Sequence, residues 1–181
     1  MTKLRPEHSD SHVDNPAALI AAIPAVLGFV PERSLVLVSV EDGRLGAVMR
    51  ADLSDDLTEN IDRLAQIAAN SGADRIVAVI VDEDGALCPM CNEDHRRMSG
   101  RLRAALAGRD VDLCAVHIVD RIAAGGRWCC VDGCGARGLV DDPGASPLAA
   151  AAVLDGRRLY ARRCDLQAVL AMSETAGSAG R

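Results

Sequence analysis

Aromatic side chains are nearly missing: Phe29, Trp128 and Tyr160 are the only three. Nucleic-acid bases therefore find little to stack on. Excess positive charge is missing too. The net charge of -6 opposes counterion-driven binding to phosphate backbones. No apolar run reaches transmembrane length. Met1 to Val13 is polar and lacks the apolar core of a secretory signal, so the expected location is the cytoplasm. G-x-G-x-x-G, the Walker A loop, H-E-x-x-H and G-x-S-x-G are all absent, which removes the common nucleotide-binding, metalloprotease and serine-hydrolase signatures. There is no internal repeat.

What is present is aliphatic. Hydrophobic residues make up 49% of the 181, so the core must be built from Ala, Val, Leu and Ile. Asn15-Pro16 starts a helix, with Asn as N-cap and Pro at the first helical position. Leu19, Ile20, Ile23 and Leu27 follow at helical spacing. Pro24 is expected to kink or divide this helix, and Gly28 to end it. Ser34 to Val40 is an unbroken apolar run suited to a strand buried on both faces. Asp42-Gly43 signals a hairpin to a second strand, Leu45 to Leu53. Asp55 or Asp56 can cap a helix carrying Leu57, Ile61, Leu64 and Ala68, which stops at Asn70-Ser71-Gly72.

Further strands are predicted at Arg75–Val81 and Leu113–Val119, with a helix from about Glu93 to Ala107 between them. Arg127 to Val131 reads as a short returning strand and residues 135–146 as a loop. Ser146-Pro147 starts another helix, and a last one runs from Cys164 to Met172. The expected fold is a single α/β domain over residues 14–172, with a mixed, mostly parallel sheet, a β-hairpin, and helices on both faces. Residues 1–13 are expected to be a disordered leader and 173–181 a disordered tail.

Four of the seven cysteines fall into two pairs, Cys88-Pro-Met-Cys91-Asn and Cys130-Val-Asp-Gly-Cys134-Gly. The Asn or Gly after each pair can turn left-handed and present backbone N–H groups to sulfur. Two such pairs supply the four thiolates of a structural zinc site, with His95 or Cys129 as substitute ligands. If the third and fourth strands run parallel, both pairs are expected near one sheet edge, where open α/β sheets place ligands. Two other readings stay open: inert reduced thiols packed as small hydrophobes, or redox chemistry at Cys88 and Cys91 ahead of a helix. Cys114 and His117 read as core or cross-strand residues. Arg50 and Asp52 alternate at the end of the second strand, where they form either a solvated salt bridge or part of a cleft. The arginine clusters at 96, 97, 101 and 103 and at 157, 158, 162 and 163 read as solvated helix faces, with an anionic ligand as the alternative.

The run from Ile23 to Val36, IPAVLGFVPERSLV, resembles the opening of an actinobacterial family known as domain of unknown function 4192. That opening is an apolar helix, Leu-Gly-Phe, Pro, then Ser-Leu-Val-Val. Arg50-Ala51-Asp52-Leu53, Gly126-Arg127-Trp128, the Ser146–Gly156 helix and Arg163 to Leu166 extend the likeness to about Asn15–Met172. The family's Cys-Cys-Pro after the Trp is here Cys129-Cys130 without the Pro, and the Cys88–Cys91 pair lies outside its pattern. The resemblance implies a cytoplasmic actinobacterial protein and transfers no activity. Taken together, the sequence points to a non-catalytic binding or regulatory module with an unknown protein partner, or alternatively to an enzyme using Arg50, Asp52 or a Cys88 thiolate in a strand-end cleft.

Overall fold

Three apolar strands in the middle of the chain organise everything else. The computed structural model describes residues 15–41, 44–86 and 89–178, the side chains at 44, 89–91 and 172–178 excepted. The expected leader, the hairpin turn residues Asp42 and Gly43, and Cys88 lie outside the described residues. Within them the elements are α1 (Pro16–Leu27), β1 (Ser34–Glu41), β2 (Arg44–Asp52), α2 (Ile61–Asn70), β3 (Arg75–Val81), α3 (Pro89–Ala107), β4 (Asp112–Val119), β5 (Arg127–Cys130), β6 (Arg137–Leu139), α4 (Pro147–Leu154) and α5 (Arg163–Ser178). The six strands form one sheet in the order β2-β1-β3-β4-β5-β6.

The sheet is mostly antiparallel, which corrects the parallel expectation. Only β3 and β4 pair in parallel; the pairings of β1 with β2, β1 with β3, β4 with β5 and β5 with β6 are antiparallel. The cause is topological. The α2 crossover does join two strands that run the same way, β2 and β3. However, β1 lies between them and opposes both.

Side chains alternate across this sheet with the pleat. Leu35, Leu37, Ile76, Ala78, Ile80 and Ile118 face α2 and α3, packing on Ile61, Ala65, Leu102 and Leu106. Val36, Val38, Val77, Val79, Val81 and Val119 face the other way, against Leu19, Ile20 and Ile23 of α1. Each fully buried aliphatic side chain is worth about 1.5–3 kcal/mol of transfer free energy. Two such layers hold the domain, with Trp128 as the one aromatic member of either, and helices cover both faces as expected. A register shift in the β3–β4 pairing leaves Cys114 as the extra residue, with Arg75 Nε donating to its sulfur at 3.2 Å.

Pro24 does not divide α1. It sits near the C-terminal end, where its missing donor costs a single helical bond, and its carbonyl still accepts from Gly28 at 2.8 Å. Asp55 and Asp56 start a single 3-10 turn instead of capping α2, which begins at Ile61. Helix α3 begins at Pro89, ahead of the expected Glu93, and α5 continues to Ser178, past the expected Met172. Strand β6 lies inside the expected loop. It forms because Gly138, opposite Trp128, leaves room for the indole that a Cβ would meet at 3.0 Å.

Candidate functional site

The carboxyl ends of β2, β3 and β4 share one edge. Ser34 at the start of β1 pairs with both Asp52 and Val81, and Val81 pairs with Val119. Crevices outside such strand ends are the usual ligand positions of α/β sheets.

At its β2 side, Arg50 turns inward. Its side chain is only 11% exposed while its partner Asp52 is 63% exposed, so the salt bridge that the sequence allowed forms with the arginine end turned in from solvent. Arg50 Nε donates to Ser34 Oγ at 2.8 Å, and Ser34 Oγ donates to the Glu32 carbonyl at 2.6 Å. A second guanidinium nitrogen of Arg50 pairs with one oxygen of Asp52. The other oxygen accepts from Arg163 Nη1 at 3.4 Å. Arg163 opens α5, and the segment before that helix docks on the loop after α1. Tyr160 N–H donates to the Gly28 carbonyl at 2.8 Å, and Val30 N–H to the Tyr160 carbonyl at 3.2 Å. The result is a cleft of about 180 Å³ lined by Phe29, Glu32, Arg50, Arg162, Arg163 and others. Beside it Arg33 adopts φ 41°, a left-handed conformation unusual for a side chain of its size, pinned by Leu53 N–H on its carbonyl at 2.8 Å.

In the middle of the edge, Asp82 follows β3 and meets His95 of α3, Oδ2 to Nε2 at 2.9 Å. Both side chains are largely buried. Gly85 closes over them, and a Cβ at that position would overlap both groups. Beyond β4, Asp120 is buried and accepts backbone N–H from Arg121 and Arg127.

The second cysteine pair is elsewhere. β5 runs back from the edge, so that Cys130 opposes His117, two residues before Val119. The following loop is held still further back: Val131 N–H bonds the Val116 carbonyl, while Asp132 accepts from Val116 N–H and Arg103. Arg103 is three helical turns along α3 from Cys91, about 18 Å at 1.5 Å per residue. This register holds Cys130 back from the edge at which β3 and β4 end. Cys88 and the Cys91 thiol lie outside the described residues, and His95, the substitute ligand, is engaged by Asp82. Cys129, the other substitute, packs toward the α2–α3 face, opposite to Cys130 by the pleat. Burial pushes its thiol up, against the pull of Arg96 and Arg137.

Gly133 and Gly135 bend the loop, with φ values of 82° and 77°, and Cys130 N–H closes it on the Ala136 carbonyl at 2.8 Å. Burial pushes the Cys130 thiol up, whereas the hydrogen bond from Cys130 draws the exposed Cys134 thiol down. Among the described residues, no three His, Cys, Asp or Glu side chains gather in a metal-ligand cluster. His117 is the buried cross-strand residue expected, edge-on to Trp128 with ring centroids 5.3 Å apart. Its Nδ1 has no partner among the described residues, and burial holds its pKa below the ordinary value despite the charge of Asp132.

The family model for the domain of unknown function DUF4192 matches residues 16–181. The chain belongs to this family. No match was found among curated proteins or among solved structures. Three of the stretches that first suggested DUF4192, those containing Ser34, Arg50-Asp52 and Arg163, meet at the arginine-lined cleft. Sequence reading placed Arg50 and Asp52 as candidates and allowed the cluster holding Arg162 and Arg163 an anionic ligand as its alternative, but passed over Ser34 and Asp82.

Proposed function

We propose that this domain is a non-catalytic binding module that takes a small oxyanion, a phosphate or carboxylate headgroup, in the cleft between β2 and α5. One observation carries the reading: Arg50, Arg162 and Arg163, from elements more than a hundred residues apart, line the same cleft. Asp52 and Glu32 offset two of the three charges, leaving one in excess on a chain of net charge -6. Arg50 has five N–H donors, of which the bonds to Ser34 and Asp52 use two. Planar guanidinium groups suit bidentate oxyanion recognition. The volume fits a headgroup rather than a whole nucleotide cofactor. A reducing, cytoplasmic setting agrees with five free cysteines among the described residues. No helix among the described residues is long and apolar enough to cross a membrane.

Ligand binding to the folded state raises the melting temperature by mass action. Inorganic phosphate and, separately, a short dicarboxylate titrated at constant ionic strength are expected to raise Tm in the wild type, with one of the two more effective. Arg162→Ala should abolish the shift. No shift with either anion, or a shift retained in Arg162→Ala, would sink the proposal.

A second reading, as an enzyme, draws on the Asp82–His95 pair at the end of β3, where an oriented imidazole can act as a general base. It predicts that alkylation of Cys88, seven positions before His95 in the sequence, slows in His95→Gln. Unchanged alkylation rates would reject it.

A further inference from the structure

The far end of β1 borders another cavity, about 260 Å³, between the β1–β2 hairpin and α2. Ser39 on its wall lies five residues along β1 from Ser34, roughly 17 Å at about 3.4 Å per residue. Leu37 and Ile76 from the sheet, Met49 from β2, and Ile67 and Ala68 from α2 make the wall largely aliphatic. One polar group interrupts it. Ser39 follows Leu37 at the strand period, so it faces α2 as Leu37 does. It is 4% exposed, and its Oγ has no hydrogen-bond partner among the described residues. The register explains the placement. Pairing passes from Val38–Val48 to Val40–Leu45, so Ser39 is opposed by both Gly46 and Ala47 at a bulge. Gly46 leaves room for the hydroxyl, since a Cβ there would sit 2.4 Å from Ser39 Oγ. The other hydroxyl on the wall, that of Ser71, is already satisfied, donating to the Ala68 carbonyl at 2.7 Å. Glu41 is exposed, and its carboxylate accepts no bond from Ser39. Ala47 and Ile67, both exposed, give the cavity a path to solvent.

We propose that this cavity binds a small, mostly apolar alcohol, with its single hydroxyl on Ser39 Oγ and its hydrocarbon part against the aliphatic wall. Volume sets the size. An apolar cavity of about 150 Å³ takes benzene, so this one holds a ring with a short polar arm. Wall chemistry sets the class. A water molecule needs two to four polar partners and finds little here beyond Ser39. A pure hydrocarbon would leave the buried hydroxyl unpaired. A charged guest would lose its hydration to a wall that cannot replace it. The site shares no residue with the anion cleft.

The test compares benzyl alcohol with toluene, its counterpart without the hydroxyl, each titrated into full-length protein and followed by amide chemical shifts. Benzyl alcohol should shift the amides of Ser39, Ala47 and Ala68 saturably. It should bind about tenfold more tightly than toluene, the worth of one hydrogen bond. Ser39→Ala should bind the two probes equally. Ala47→Phe fills the cavity from an exposed position and should abolish binding of both. Ile67→Phe makes the same test from the helix side if circular dichroism shows that Ala47→Phe does not fold. Arg162→Ala should leave benzyl alcohol binding unchanged, which separates this site from the anion cleft. The proposal is overturned if benzyl alcohol gives no saturable shift at these amides, or if Ser39→Ala keeps the preference over toluene. Binding that survives in the folded Phe variants would overturn it equally.

Discussion

The two ends of the sheet solve the same problem, holding reactive polar groups in an aliphatic protein, by opposite means. At the carboxyl edge of β2, one residue from each of several distant segments is needed. Ser34, Arg50, Asp52 and Arg163 form a single chain of hydrogen bonds only after β1 pairs with β2 and α5 docks. At the tip of β5 and β6, the turn Cys130–Ala136 closes on its own backbone, Cys130 N–H to the Ala136 carbonyl, and one residue of it, Asp132, ties it to β4 and α3. The first arrangement is long-range and stands or falls with the tertiary fold. The second is local and depends on two glycines.

The contrast can be broken most severely near the start of β5. Gly126 packs where a Cβ would overlap the Arg121 carbonyl, and its neighbours Asp120 and Val140 are bonded through the same corner. Gly126→Ala should lose about 2–3 kcal/mol in urea unfolding and loosen β5 and β6 together. At the other end, Arg50→Met removes two side-chain bonds and leaves Asp52 to Arg163 alone. A loss of about 2 kcal/mol is expected, together with the phosphate or dicarboxylate response. Arg162 is exposed, and its side chain has no ion pair among the described residues to lose. Arg162→Ala should therefore change stability by less than about 0.5 kcal/mol while still abolishing the anion-dependent Tm shift, a separation that a purely structural arginine would not give.

The smallest effect concerns pH. His117 is 5% exposed and its folded-state pKa is lowered, chiefly by burial, with Asp132 acting in the opposite sense. The unfolded chain thus binds a proton more readily than the folded one. Stability is unaffected well above the unfolded value of about 6.5 and declines as pH falls below it. His117→Gln should flatten this decline in unfolding curves measured between pH 7.5 and about 5. An identical slope in the variant would mean that other groups govern it.

These two ends also explain what could be read without coordinates. The strands Ser34–Val40 and Arg75–Val81 announce themselves as apolar runs, and Asn15-Pro16 with Gly28 bounds α1 as capping chemistry requires. The cysteine turn was legible for the same reason it is stable: Gly after Cys is a local instruction. Strand direction was not legible, because the order of elements gives the crossover from β2 to β3 but not that β1 lies between them. The role of Ser34 was hidden inside an apolar run, and Arg163 looked like any charged residue on a helix. β6 was missed because three residues, Arg137–Leu139, become a strand only through what Gly138 permits Trp128 to do.

The bridge between Phe29 and Tyr160 has a consequence for how the protein is made. A chain emerging from the ribosome can lay down α1 and all six strands before residues 157–166 exist outside the tunnel. The cleft acquires Arg162 and Arg163 last, through a seam of two hydrogen bonds at Gly28 and Val30. Chains truncated before Tyr160 would carry the sheet without these two arginines, so completion of the cleft is a late, separable event in biogenesis.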